Sequence, residues 1–202
     1  MQKEFFLNYP YSEYGEMLPY ERYKLYNWIK KFNVKNILEI GSGSGASTYY
    51  MVNALQNDGK IFTCDPGRRL PEELLNDFKN IEYYENTSSF LIEKIMNERI
   101  DIDYVFFDGP EIPDLALQDI LKLENYLKDG CLFSMHDWET TQRNYDKGYS
   151  IKCSKIRPYM ENSEKWEEVE ILSGLKVNSD YHVYDDRNAD SVGLSLYKYK
   201  KK

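Results

Sequence analysis

The chain has 202 residues, enough for one domain with a core of its own, and 42% hydrophobic against 30% charged residues marks a folded protein rather than a disordered one. Its net charge is −8 and basic residues bunch only in the tail Lys198, Lys200, Lys201 and Lys202, which disfavours nucleic acid as a partner, because such partners are met by basic surfaces. The first residues hold no apolar run of signal-peptide or membrane-span length, and Cys64, Cys131 and Cys153 form no CxxC pair, so a cytoplasmic protein with reduced thiols and no membrane partner is expected.

No repeat or Pro/Gly-rich linker divides the chain. Residues 1–202 read as a single domain: a helical and aromatic extension over 1–34, a core over 35–138, and a helix with a strand pair over 139–202. Pro19 to Phe32 predicts a helix with Tyr23, Tyr26, Trp28 and Ile29 on its apolar surface. Strand and helix signals then alternate. Asn36–Ile40 predicts a strand, Ala46 to Gln56 a helix that Asn57-Asp58-Gly59 stops with a left-handed cap, and Lys60–Cys64 a second strand. Pro71 opens a short helix with Glu72 and Glu73 in its first turn, and Ile81–Tyr84 is a third strand. Ser88 or Ser89 caps a helix running to Glu98, and Ile102 to Phe107 is the fourth strand. Pro113 and Asp114 begin a helix with Leu117, Ile120, Leu121 and Leu127 on one face, and Cys131 to Met135 is a fifth strand ending at His136-Asp137. A helix near Ser154 to Glu161 precedes two β-like stretches, Trp166 to Leu172 and Val192 to Tyr199, joined by a loop of roughly nineteen residues.

Five strand–helix alternations with short connections predict an open α/β sheet, parallel over its first five strands, with helices on both faces. Ligands of such sheets bind beyond the carboxyl ends of the strands, near the reversal of strand order. That rule gathers the turn Gly41-Ser42-Gly43-Ser44-Gly45, Asp65, Asn86 to Ser88, Asp108 and His136-Asp137 on one rim. Glycines let the turn bend sharply and approach a ligand closely. Read as Gly41-x-Gly43-x-x-Ala46 it also satisfies the dinucleotide fingerprint, and Asp65 suits a ribose diol in either kind of ligand. Glu39 separates the readings: a carboxylate just before the turn opposes a pyrophosphate, whereas it can hold the cationic amino-acid end of S-adenosylmethionine, directly or through water. An NAD(P)-dependent oxidoreductase and a non-catalytic domain of the same fold are the alternatives.

Taken as a set, Glu39-Ile40-Gly41-Ser42-Gly43-Ser44-Gly45, Asp65, Asp108-Gly109 and His136-Asp137 resemble the class I S-adenosylmethionine-dependent methyltransferases, most nearly the small O-methyltransferases of the macrocin O-methyltransferase type. The resemblance covers roughly residues 35 to 138. It implies a Rossmann-like sheet of seven strands, the last two forming a C-terminal β-hairpin. It implies that Gly41, Gly43 and Gly45, with Ser42 between them, line the cofactor, that Asp65 bonds its ribose, and that Thr87 or Ser88 lies near its adenine. In metal-dependent relatives the acids ending the fourth and fifth strands, here Asp108 and Asp137, share a divalent cation, which Mg²⁺ suits. This chain departs from the pattern where Pro110-Glu111 follows Asp108-Gly109, in place of the histidine that many relatives carry, and no third ligand is evident.

His136, beside Asp137, is a natural general base near neutral pH. Asp108, His136 and Asp137 are thus the expected catalytic set, acting on a hydroxyl of a small-molecule acceptor with or without a metal. His182, with Tyr181, Tyr184, Asp185 and Asp186, lies in the long loop, which opens on the ligand side if the sixth strand runs parallel to the first five. Phe5, Phe6, Tyr9, Tyr11, Tyr14 and Tyr20 are expected to pack at the sheet edge rather than to form a lid.

Overall fold

The structure is a computed structural model that describes residues 4–11, 17–56, 58–67, 70–140, 152–172 and 191–202, without the side chains of residues 139, 140, 191 and 192. His182 and its neighbours, like Tyr14, lie outside the described residues. In chain order the elements are α1 (Glu4–Leu7), α2 (Pro19–Lys31), β1 (Asn36–Ile40), α3 (Ala46–Ala54), β2 (Lys60–Cys64), α4 (Glu72–Asp77) and β3 (Ile81–Tyr84). There follow α5 (Ser88–Glu98), β4 (Tyr104–Phe107), α6 (Pro113–Glu124), β5 (Leu132–Thr140), α7 (Cys153–Glu161), β6 (Trp166–Leu172) and β7 (Ser191–Tyr199). One sheet of seven strands has the order β3-β2-β1-β4-β5-β7-β6. Strands β1 to β5 pair in parallel, and β7 runs antiparallel to both β5 and β6. Strand β6 therefore points the same way as the first five, and its carboxyl end at Leu172 lies on their rim.

Side chains alternate across this sheet, and both faces are covered. In β4, Tyr104 and Phe106 pack with α2 and α3 residues such as Leu25, Trp28, Ile29 and Tyr50. Val105 and Phe107 pack on the other side with Leu91, Ile95, Ile120 and Ile156 from α5, α6 and α7. All four strand residues are fully buried, as a strand sandwiched between helix layers requires. The N-terminal aromatics belong to the first layer: Phe5 and Phe6 meet Tyr26 and Tyr50 ring to ring, and Tyr50 Oη donates to Asn8 O (2.9 Å).

Four local expectations are corrected. Strand β5 does not stop at Met135 but continues to Thr140 through a bulge, where three steps of β5 from His136 to Glu139 face two of β7. Asp137 is left-handed there (φ 57°), so His136 points into one helix layer and Trp138 into the other. Helix α3 ends at Ala54 with Leu55 extended, and Gly59 adopts no left-handed cap. A Cβ at Gly59 would come within 2.9 Å of Lys35 O, so the glycine serves a close strand approach. Thr87 rather than Ser88 or Ser89 caps α5, accepting from Phe90 N (3.4 Å). The buried stripe of α6 is Ala116, Ile120 and Leu123, continued by Leu127, whereas Leu121 is exposed. Among the described residues no helix is long and apolar enough to cross a membrane.

Candidate active site

Strand order reverses between β1 and β4, and the rim there opens into a cavity of about 680 Å³, of a size for a small organic ligand. The glycine turn forms its floor. Gly41, Gly43 and Gly45 all have positive φ (86°, 49° and 89°), and Gly41 N and Ser42 N donate to Cys64 O (3.0 and 3.2 Å). A Cβ at Gly41 would lie 2.3 Å from Asp108 O, so only glycine lets the first and fourth strand ends approach this closely. Tyr9 Oη donates to Ser44 O (2.6 Å), tying the N-terminal segment to the turn.

Gly41, Ser42, Gly43, Asp65, Thr87, Ser88, Asp108, His136 and Asp137 all line this cavity, so the structure brings these predicted residues together. Asp65 accepts from Gly43 N and Gly67 N (3.0 Å each), which sets its carboxylate at the turn. Gly45 is set back under Leu70, Leu74 and Tyr9. Glu39 is not on the wall either. It is fully buried on the α3 side of the sheet, where Ser47 Oγ and Thr48 Oγ1 donate to its two oxygens (2.5 and 2.7 Å). Burial, only partly offset by these hydroxyls, raises its pKa to about 7. The alternation of β1 explains the placement, since Glu39 shares a side with Ile37.

At the β5 end the side chains form a closed ring of alternating charge. Lys152 Nζ lies 3.1 Å from Asp108 Oδ1 and 2.9 Å from Asp137 Oδ2, and His136 Nδ1 lies 3.4 Å from Asp108 Oδ2 and 3.3 Å from Asp137 Oδ1. Glu111 Oε1 takes the third ammonium position (2.9 Å), and Glu21 Oε2 faces His136 Nε2 (3.2 Å). Both imidazole nitrogens thus face carboxylate acceptors. Burial works against a charge on His136, yet Asp137, Asp108 and Glu21 outweigh it and hold the ring protonated well above its ordinary range. Lys152, fully buried, is likewise held charged against burial by Asp108, Asp137 and Glu111. Burial would raise Asp137, but His136 and Lys152 win and keep it far below the usual carboxylate range.

The sequence matches the family model described as a methyltransferase domain over residues 38–138, half of the chain. The chain belongs to the methyltransferase-domain family. Membership sets aside the oxidoreductase alternative for this Rossmann-like sheet. No curated protein matches the sequence. Among solved structures the methyltransferase is similar to the O-methyltransferase from Bacillus cereus in complex with SAH, at 15% identity and TM-score 0.69, covering 98% of this chain and 86% of that one. It is similar to an O-methyltransferase from Streptomyces achromogenes involved in tomaymycin synthesis, in complex with SAM, at 15% identity and TM-score 0.68, covering 90% and 80%. An rRNA methylase from Streptococcus thermophilus also resembles it, at 12% identity and TM-score 0.61, covering 87% and 93%.

The metal-dependent members of this fold raise the question of a divalent cation. Asp108, His136 and Asp137 do bring donor atoms within 4.8 Å of one another. Their chemistry does not fit a metal. Both nitrogens of the histidine are already engaged by carboxylates, and all four oxygens of the two aspartates face Lys152 or His136. An ion shared by the aspartates would have to sit beside the ammonium that already bridges them, and like charges in a buried site repel strongly.

Three residues of the site escaped the sequence reading. Lys152 sits in a polar stretch before α7 with no local pattern to mark it. Glu21 is buried in α2, where it accepts from Leu18 N (2.9 Å) and Gly193 N (2.9 Å) as well as facing His136. Asp119 also lines the cavity, 4% exposed, and its Oδ2 has no hydrogen-bond partner among the described residues. Its signal was legible: a charge set among Ala116, Ile120 and Leu123 on the apolar stripe of α6. All three cysteines are buried and unbridged, and burial pushes Cys64 up to about 12.

Proposed function

We propose that this methyltransferase transfers the methyl group of S-adenosylmethionine to a hydroxyl of a small-molecule acceptor. The observation that carries the reading is a single cavity lined at one end by the glycine turn and Asp65 and at the other by the cluster of Asp108, His136 and Asp137. Gly41, Ser42, Gly43 and Gly45 shape the donor's seat, Asp65 takes the ribose diol, and Thr87 and Ser88 at the start of α5 meet the adenine. Glu39 acts from beneath, anchoring α3 through Ser47 and Thr48. The structural relatives solved with SAM or SAH support the choice of donor.

The acceptor oxygen attacks the methyl carbon, the carbon–sulfur bond breaks, and sulfur keeps the electron pair. The hydroxyl proton becomes strongly acidic as the new bond forms, so Asp108 or Asp137 on the cavity wall suffices to take it. His136, already protonated, fixes these carboxylates rather than acting as the base. Holding the two reactants in line is the main contribution of the protein. A net charge of −8 favours a small acceptor over RNA and fits a cytoplasmic enzyme with no membrane partner.

Calorimetric titration with S-adenosylhomocysteine tests this reading. The wild-type protein should bind with a dissociation constant of about micromolar order. Asp65→Ala, which loses charge-assisted hydrogen bonds worth about 1.5–3 kcal/mol each, should bind roughly a hundredfold more weakly. A folded wild-type protein that does not bind S-adenosylhomocysteine overturns the proposal.

A further inference from the structure

We propose that Lys152 is a built-in cation that takes the place of a divalent metal between Asp108 and Asp137, so that methyl transfer by this chain needs no metal. The inference rests on the methyl-transfer reading above and concerns the acceptor end of the same cavity.

The ammonium is fully buried and faces three carboxylates at 2.9–3.1 Å, contributed by the end of β4, the loop after it and the bulge of β5. An ammonium has three N–H donors, and each has its own carboxylate. Both aspartates use one oxygen for Lys152 and the other for His136, so each is held at two points. Hard acid ligands around a metal are held in the same way, by a positive charge between them. The lysine cannot easily leave. The next residue, Cys153, is buried, and Ile156 and Met160 of α7 pack in the core with Ile120 and Leu123 of α6. A lysine with its charge taken out of water is costly unless paired, and here the pairing is with the groups that would ligate a metal.

Lys152 touches no reacting atom in this arrangement. It is a positioning residue, which fixes the two carboxylates for the acceptor proton and repels a divalent ion. Substitution should therefore create a metal site, an effect that a purely structural ion pair would not produce once the fold is intact.

The test is titration of Mn²⁺ into the S-adenosylhomocysteine-saturated protein, with free ion read by electron paramagnetic resonance. Wild type and Lys152→Arg should retain no Mn²⁺ at about millimolar concentration, whereas Lys152→Met should bind it at least about tenfold more tightly. Adding Asp137→Asn to Lys152→Met should abolish that gain. The proposal is overturned if wild type retains Mn²⁺ and Asp137→Asn releases it, or if a folded Lys152→Met binds no more than wild type. Should Lys152→Met not fold, the wild-type titration decides by itself: retention released by Asp137→Asn overturns the proposal, and no retention supports it. The two readings fail separately. Absence of S-adenosylhomocysteine binding by wild type removes the donor assignment, and the Mn²⁺ result on the protein alone still reports on Lys152.

Discussion

Glu39→Gln should change the pH dependence of stability in a way that can be worked out beforehand. The carboxyl has a pKa of about 7 in the folded protein against 4.5 ordinarily. At 1.36 kcal/mol per pH unit that gap corresponds to about 3 kcal/mol. Between pH 4.5 and 7 the folded state holds a proton on Glu39 that the unfolded chain has released, so raising the pH favours unfolding. The stabilisation is complete below about pH 4.5 and is lost as the pH rises through about 7. Glutamine keeps the shape and an acceptor for Ser47 or Thr48 but cannot ionise. Urea unfolding of both proteins at pH 5, 6, 7 and 8 isolates the effect, because other titrations are shared and cancel in the difference. Relative to the variant, wild type should lose about 2–3 kcal/mol from pH 5 to 8. Curves that stay parallel to within about 0.5 kcal/mol would refute the reasoning, since the charge would then be solvated or compensated. Binding of S-adenosylhomocysteine adds a second readout. Glu39 lies beneath the cavity wall, so affinity should change by only a few-fold, whereas a direct contact with the ligand ammonium predicts a loss of about tenfold or more.

Gly41→Ala places a Cβ 2.3 Å from Asp108 O at a φ of 86°. Left-handed strain of about 1–2 kcal/mol and overpacking of about 1–3 kcal/mol together predict a loss of about 2–5 kcal/mol in unfolding free energy, and a loss below about 1 kcal/mol would show that the strand ends can part freely. Asp119, on the cavity wall with Thr87 and Ser88, is expected to accept one hydrogen bond from the bound ligand, so Asp119→Ala should weaken S-adenosylhomocysteine binding roughly tenfold, while stability holds or rises because an incompletely paired buried carboxylate is gone. Unchanged affinity in calorimetry, with a drop in unfolding free energy, would give Asp119 a structural part instead.

The end of the cavity built on the glycine turn is legible in the sequence because it is made from neighbours along the chain. The spans of β1, β2, β3 and β6 match the structure residue for residue, and the glycine turn, Asp65 and Thr87 follow strands whose apolar runs end abruptly. Where the reading failed, a non-local cause is visible. The sequence places the end of β5 at Met135 because polar residues follow, yet Trp138 carries the apolar pattern on once the bulge at Asp137 is allowed for. The sequence puts Leu121 on the α6 stripe, but the helix turns Leu123 inward. The surroundings of His136 are non-local as well: the three carboxylates that face it come from α2, β5 and the end of β4.

That division has a consequence for how the two ends of the cavity diverge. The match to the methyltransferase-domain family spans residues 38–138 and so contains the glycine turn and Asp65 together with Asp108, His136 and Asp137. Glu21 and Lys152, which set the charge state and orientation of those three, lie outside it on either side. They also come from opposite helix layers: α2 packs with α3 on one face, and α7, which Lys152 precedes, packs with α6 and β5 on the other. The carboxylates at the strand ends and His136 thus lie within the matched segment, while the flanking segments supply one further cation, Lys152, and one further carboxylate, Glu21. A chain with this sheet and a shorter or neutral side chain in place of Lys152 would leave Asp108 and Asp137 facing each other with only His136 between, an arrangement that invites a divalent ion. On the proposal above, whether this chain takes a divalent ion is therefore set by Lys152, beyond the matched segment, rather than by the aspartates themselves.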